Sequence, residues 1–331
     1  MTRLTPFCAM LAACATLGLP ARADVPRVVT DITPVHALVL QVMEGVGEPD
    51  LLLPSGADPH GHSMRPSEAG ALDDADVVVW IGEALTPSVA SSIESLAADA
   101  VSLPLIDVPG TTILAFRENA LFGDAHGEDD HGDTHDDDAH GADDHGHDAH
   151  AHEDHDHGHD HSGADPHAWL DPRNAIIWLD AIAETLAEQD PANAETYRAN
   201  ADTAQAAIAE VEAEIAAQLA DAEDLRFVVF HDAFQYFEAR FDLQAAGALA
   251  LADNASPSAA RLAEIRDVIR DRDITCAVAE PQYDPDLIAA VFEGVDVETM
   301  ILDPLGADIE PGPGFYADLL RAAASAFARC G

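Results

Sequence analysis

Positive charge is scarce in this chain. Across 331 residues, 15 basic side chains stand against 62 acidic ones, for a formal net charge of −47. Every basic residue is arginine, and the missing lysines have no functional reading. With no basic footprint, the composition argues against nucleic acid as a partner. An acidic surface serves solubility first, and it also attracts cations. Long apolar runs are absent beyond the N-terminus, so no later segment is expected to cross a bilayer. A helical His-Glu-x-x-His motif is missing too, which counts only weakly against a zinc hydrolase.

Cysteine is nearly absent. Of the four, Cys8 and Cys14 fall in an N-terminal segment that reads as an export signal. Arg3 supplies its positive start, residues 4–19 are apolar and short, and Ala21-Arg22-Ala23 fits a small-x-small cleavage site. Residues 1–23 are therefore read as a signal peptide, with periplasmic export and a mature start near Asp24. Cleavage removes Arg3 and Arg22 and no acid, which moves the formal charge from −47 to −49. A rival feature is Leu11-Ala12-Ala13-Cys14, which resembles a bacterial lipoprotein box and would anchor the protein by lipid on Cys14. In the mature chain Cys276 and Cys330 remain, and in an oxidising compartment two cysteines most simply form one disulfide. Such a bridge would contribute about 4 kcal/mol in the chain-entropy model. A metal-thiolate role is the alternative.

One segment is as rich as the rest is sparing. Residues 124–165 hold sixteen carboxylates and twelve histidines: His126, His131, His135, His140, His145, His147, His150, His152, His155, His157, His159 and His161. No apolar side chain there exceeds alanine, so the segment cannot bury enough surface to offset its ordering entropy, and disorder is expected. Imidazole is a favoured ligand for zinc, copper and nickel. The segment announces a transition metal without defining a site or a use.

Around this insert the pattern is βαβα. Strands are expected at 28–32, 51–53, 77–81 and 105–108, and helices at 34–43, 66–72 and 87–96. After the insert come a helix at 174–188 and a longer one at 192–220, which would span about 44 Å, enough to link two lobes. The pattern then resumes with strands 227–230 and 277–280, and with helices at 233–241, 259–271, from 285, and at 316–329. The fold class is α/β: two lobes with mainly parallel sheets joined by one long rigid helix. The corresponding domains are 24–190 with the insert, the linking helix 191–222, and 223–331. Ligands of such sheets sit outside the strands' carboxyl ends.

Five histidines lie outside the insert. His60 follows the short strand at 51–53, and His231 follows the apolar run Phe227-Val228-Val229-Phe230. His167 sits in Asp165-Pro166-His167-Ala168-Trp169-Leu170-Asp171-Pro172. Three neutral imidazoles converging from separate segments would make a zinc site with one coordination position left over. Asp303, in Leu302-Asp303-Pro304-Leu305-Gly306, is a carboxylate that could fill it. Singly, each histidine is ordinary. His36, at a helix start, reads as structural, and the His60-x-His62 pair on its own could suggest a metallohydrolase.

Five segments then share one resemblance. They are Gly56-Ala57-Asp58-Pro59-His60-Gly61-His62-Ser63-Met64-Arg65-Pro66-Ser67, the 165–172 motif, Phe230-His231-Asp232-Ala233-Phe234-Gln235-Tyr236-Phe237, Ala279-Glu280-Pro281-Gln282, and 302–306. In order and over essentially the whole mature chain, they resemble the zinc/manganese solute-binding proteins of bacterial ABC transporters, most closely the periplasmic zinc-binding ZnuA type. The resemblance implies metal bound in the cleft between the lobes by His60, His167 and His231; it leaves the fourth position to Asp303, to water or to an insert histidine, and of these Asp303 is the expected ligand. It also makes a disulfide placed like Cys276–Cys330 and a His/Asp insert typical features. Manganese relatives usually carry a carboxylate where His231 stands, and three imidazoles favour zinc. Some zinc members have glutamate where Pro59 stands here. By the same resemblance, His62 becomes a neighbour near the cleft mouth, Trp169 and Phe230 pack around the site, and Glu280 either orients a histidine or makes a structural bond.

The expected function is periplasmic capture of Zn²⁺, as cargo and not as a catalytic cofactor, for an inner-membrane ABC permease and its ATPase. The protein is expected to be a monomer, with a periplasmic metallochaperone as a further partner and the insert as an accessory zinc collector. The alternatives are a manganese or broader divalent-metal binder, a surface lipoprotein, and a secreted zinc hydrolase using Asp232 or Glu280 as its base.

Overall fold

The computed structural model describes residues 25–117, 122, 163–222, 225–250 and 258–330, apart from 282, 284 and 296. The export segment 1–23 and all twelve insert histidines lie outside these residues.

Two four-stranded parallel sheets organise the molecule. The first contains β1 (Val28–Thr30), β2 (Asp50–Leu51), β3 (Val77–Trp80) and β4 (Val101–Pro104), in the order β2-β1-β3-β4. Helices α1 (Thr33–Val42), α2 (Pro66–Asp73) and α3 (Pro87–Leu96) make the crossovers. Each of the three carries a proline in its first turn, where a missing N–H costs nothing. After α4 (Pro172–Gln189) and α5 (Ala194–Gln218) comes the second sheet, with β5 (Phe227–His231), β6 (Ala245–Ala250), β7 (Cys276–Ala279) and β8 (Glu298–Ile301). Its order, β6-β5-β7-β8, repeats that of the first. Helices α6 (Gln235–Arg240), α7 (Ala259–Asp271), α8 (Pro285–Val291) and α9 (Phe315–Cys330) complete this lobe.

The lobes share one core. Strand β5 alternates, sending Phe227 and Val229 into an apolar cluster that reaches back through α9, α5, α4 and α1 to Val28 and Val77. Val228 and Phe230 point the other way, into a smaller cluster under α7 and α8. Helix α5 packs along α4 and touches both α1 and α9, and α1 also meets α9 directly. A wide hinge would expose this shared layer at roughly 25 cal/mol per Å², so only small adjustments between the lobes are compatible with it.

Several elements differ from the sequence expectation. The strand expected at 105–108 is a 3-10 turn, Leu105–Asp107, and the chain pairs earlier, at Val101–Pro104. Pro104 can pair with Trp80 because β4 is an edge strand, where a missing donor is tolerated. Strands β6 and β8 were not expected at all. Ala-Ala-Gly-Ala-Leu-Ala offers no β-branched residue to read, and β8 is a mostly exposed edge. Helix α5 has 25 residues, about 38 Å, shorter than the expected 44 Å. Cys276 and Cys330 are joined in a disulfide with Cα atoms 5.4 Å apart, pinning the end of α9 to the start of β7.

Asp31 closes the carboxyl end of the first sheet. Fully buried, it accepts the N–H of Ile32 at 2.8 Å and that of Ile81 at 2.9 Å, so it ties the exit of β1 to that of β3. Burial pushes its pKa up to about 7 against the lowering effect of those amides. A raised carboxyl pKa in the folded state adds stability that is complete below the ordinary value of 3.8 and is lost as pH rises through about 7. The stability difference between wild type and Asp31→Asn, followed by denaturant unfolding from pH 4 to pH 8, should shrink in wild type's disfavour as pH rises. A pH-independent difference would contradict this.

Candidate metal site

Strand order reverses beside β1 in one sheet and beside β5 in the other, which opens a crevice at the carboxyl ends where these strands part from β3 and β7. His231 is the last residue of β5, and Glu280 follows directly on β7. His60 lies on the turn-rich segment after β2, which hydrogen bonds from Leu52 and Leu53 to Thr30 and Asp31 hold against β1. His167 lies between an antiparallel bridge, Ala115 to Ala164, and the 3-10 turn Ala168–Leu170.

The fold brings these three rings together. Ring centroids are 5.0 Å apart for His167 and His231, 5.6 Å for His60 and His167, and 6.5 Å for His60 and His231. Three imidazoles on one tetrahedral zinc, with Zn–N near 2.1 Å, place their centroids roughly 5.3 Å apart. Among the described residues, no group of three or more His, Cys, Asp or Glu stands in finished metal-holding geometry. The shortfall lies with His60, whose ring is about an ångström too far from His231 on this criterion. His167 and His231 are buried, 2 % and 5 % exposed, whereas His60 is half-buried on its loop.

Two of the rings are aimed by carboxylates. His167 Nδ1 lies 2.7 Å from Asp165 Oδ1, which also accepts the backbone N–H of His167 at 2.9 Å. His231 Nδ1 lies 3.0 Å from Glu280 Oε1. A carboxylate only accepts, so each Nδ1 carries the proton and each Nε2 keeps its lone pair for a cation. Asp165 is held in turn from the other lobe: Tyr236 O–H donates to its carbonyl at 2.8 Å. The Gln235 amide, oriented as its surroundings require, donates to Asp165 Oδ2 at 2.9 Å.

Other candidates have separate duties. Asp303 accepts the N–H groups of Leu305 at 2.8 Å and Ala307 at 2.7 Å, one on each oxygen, and lines a cavity of about 200 Å³ with Asp58 and Pro281. Trp169 packs 5.2 Å from the His167 ring and donates to Pro304 O at 2.9 Å, linking that ring to the Asp303 loop. Phe230 packs against Tyr283, ring centroids 4.2 Å apart and planes tilted by 41°. His62 meets Glu68 at 2.8 Å, and Glu68 also caps α2 by accepting Arg65 N–H at 2.6 Å, which makes His62 part of that cap. His36 Nε2 bonds to Pro49 O at 3.1 Å. Asp232, the base imagined for a hydrolase, faces Arg117 through both oxygens, at 2.9 and 2.5 Å.

Asp165, Gln235, Tyr236 and Arg117 received no role from the sequence. A signal for Asp165 was there in the repeated Asp-Pro-His of 58–60 and 165–167. In both copies the aspartate Oδ1 accepts the histidine N–H, at 3.0 Å and 2.9 Å.

Comparison with known proteins gives this crevice a family. The model of the periplasmic zinc-uptake complex component A, ZnuA, matches residues 28–330. The chain belongs to the ZnuA family. A high-affinity zinc uptake system protein ZnuA from Paracoccus denitrificans (strain Pd 1222) is 51 % identical over 322 residues, 97 % of this chain and 96 % of that protein. A ZnuA crystal structure superimposes with a TM-score of 0.70 at 22 % identity, covering 92 % of this chain and 98 % of its own. A zinc-bound ZnuA lacking its residues 138–173 superimposes with a TM-score of 0.69 at 22 % identity, again covering 92 % and 98 %. ZnuA proteins are periplasmic solute-binding components that work with an ABC permease and ATPase, and they are not enzymes.

Replacing Asp165 by Asn or Glu280 by Gln turns an acceptor-only partner into one that can donate, which releases the Nδ1 lock. Each change should weaken zinc binding 10- to 100-fold while the protein stays folded. Chelator competition on each variant measures this, and unchanged affinity would show that the two carboxylates do not aim the rings.

Proposed function

We propose that this chain captures Zn²⁺ in the periplasm and delivers it to an ABC-type zinc importer, holding the ion with His60, His167, His231 and Asp303. One observation carries the reading. Three imidazoles from three separate segments converge to within 5.0–6.5 Å, and two of them have Nδ1 engaged by buried carboxylates. Three nitrogen donors suit zinc better than manganese, which prefers oxygen. In capture, His167 and His231 form the fixed half of the site, and the His60 loop closes the remaining ångström. Asp303 already accepts one amide on each oxygen, and a carboxylate oxygen has a second lone pair to offer a cation. Protons compete with zinc for the same ring nitrogens, so affinity falls in acid.

Residues 1–23 serve as the export signal in this reading, and the mature protein works as a monomer. The described residues contain no helix long and apolar enough to cross a membrane. The insert histidines collect zinc at weaker sites and raise its local supply to the cleft. A related ZnuA lacking its residues 138–173 is zinc-bound.

Two experiments test this. Substituting His60, His167 and His231 together by Ala should abolish the tight site, with affinity falling at least a thousandfold in chelator competition. Retention of tight binding would remove the ligand assignment. Deleting residues 126–161 should leave one tightly bound zinc per chain, lower the total stoichiometry, and slow transfer to the permease. Loss of the tight ion in that deletion would move the site into the insert.

A further inference from the structure

We propose that Arg117 is a positioning residue for the cleft: an interlobe clasp that sets His167 against His231. The inference rests on the ligand assignment above.

Arg117 lies on a first-lobe segment and reaches into the second lobe. Its guanidinium grips Asp232 through Nε and Nη2, and it grips Glu238 through Nη1 and Nη2 at 2.9 and 3.0 Å. The arginine side chain is 17 % exposed and both carboxylates are 4 % exposed. Phe122 lies under the guanidinium face at 3.9 Å. Only a planar fork can hold two buried carboxylates in this way; a lysine supplies the charge without the geometry.

The two anchor points are specific. Asp232 is the residue after His231, so the clasp grips the exit of β5 where that ring is carried. Glu238 belongs to α6 and also accepts the N–H of Ala245, the first residue of β6. On the other side, the segment that holds Arg117 also carries Ala115, which pairs with Ala164, and Leu114, whose carbonyl accepts the Asp165 N–H at 2.8 Å. Asp165 then aims His167. A short covalent and hydrogen-bonded path therefore runs from His231 through Asp232 and Arg117 to Asp165 and His167. Leu114 and Asp165 also hold Tyr236 independently, so the segment keeps its place on the second lobe when the fork is loosened.

The test uses the full mature chain. For Arg117→Lys, chelator competition should show the tight zinc site weakened at least tenfold, with one tight ion per chain still present. Bound Co²⁺ should show a shifted visible absorption spectrum, because ring geometry changes even though the donor atoms do not. A variant with Arg117→Gln, Asp232→Asn and Glu238→Gln leaves no buried charge unpaired, and it should show the same loss if Arg117→Lys fails to fold. Wild-type affinity and spectrum in the folded variants would overturn the proposal. So would an equal loss in Arg240→Lys, which loosens the comparable fork to Asp171, because the effect would then be general loosening. Tight binding that survives the triple-alanine change would instead sink the ligand assignment, which separates the two failures.

Discussion

Both parallel sheets bury one face against the same helical layer, and that shared burial fixes everything else. A metal site assembled from two lobes needs its donors within about half an ångström of their working positions, and loops alone cannot provide this. Here Val28 and Val77 of one sheet, and Phe227 and Val229 of the other, belong to a single apolar cluster through α1, α4, α5 and α9. Separating the lobes would open that cluster to water, so the distance between the two crevice walls is a property of the core. His231 inherits its place from β5, and His167 inherits its place from a segment packed on α6.

Electrostatics then acts within that frame. The chain is strongly acidic, and an acidic surface favours solubility and attracts cations. A few carboxylates are buried, and each buried one has a partner that fixes its task. Asp165 and Glu280 face imidazole Nδ1 atoms, Asp31 bridges the ends of β1 and β3, and Asp232 and Glu238 share one guanidinium. Arg117 keeps its charge despite burial because Glu238 and Asp232 outweigh the desolvation. Asp232 is pushed up to about 6 by burial, with Arg117 pulling against that rise and Glu238 adding to it. Both Asp232 oxygens accept from the Arg117 guanidinium, which commits the carboxylate to structure.

The sequence made the two α/β lobes legible through alternation: Val77 to Ile81 could only be a buried parallel strand, and the prolines at 34, 66 and 87 marked helix starts. It hid β6, because alanine and glycine carry no strand signal and the strand exists only by pairing with β5. The candidate ligands were legible because imidazole chemistry is specific and His60, His167 and His231 stand in recognisable motifs. Their supports were not. Arg117 lies 115 residues from Asp232 in sequence, and Tyr236 lies 71 from Asp165. No local pattern encodes a contact at such separation; the fold creates it.

This separates two kinds of histidine in one chain. Donor chemistry is the same inside and outside the insert, so imidazole alone does not decide where an ion rests. A ring such as His167 has lost its rotamer freedom on folding, with Nδ1 held by Asp165 and Trp169 against its side. Little further ordering is left to oppose ligation there. The insert's twelve histidines stand among no apolar side chain larger than alanine, a composition from which no ordering before binding is expected. Twelve such rings can outnumber three without outcompeting them. Under the proposed function, that difference sets a direction of flow: zinc gathers where histidines are many and settles where the core has already ordered them.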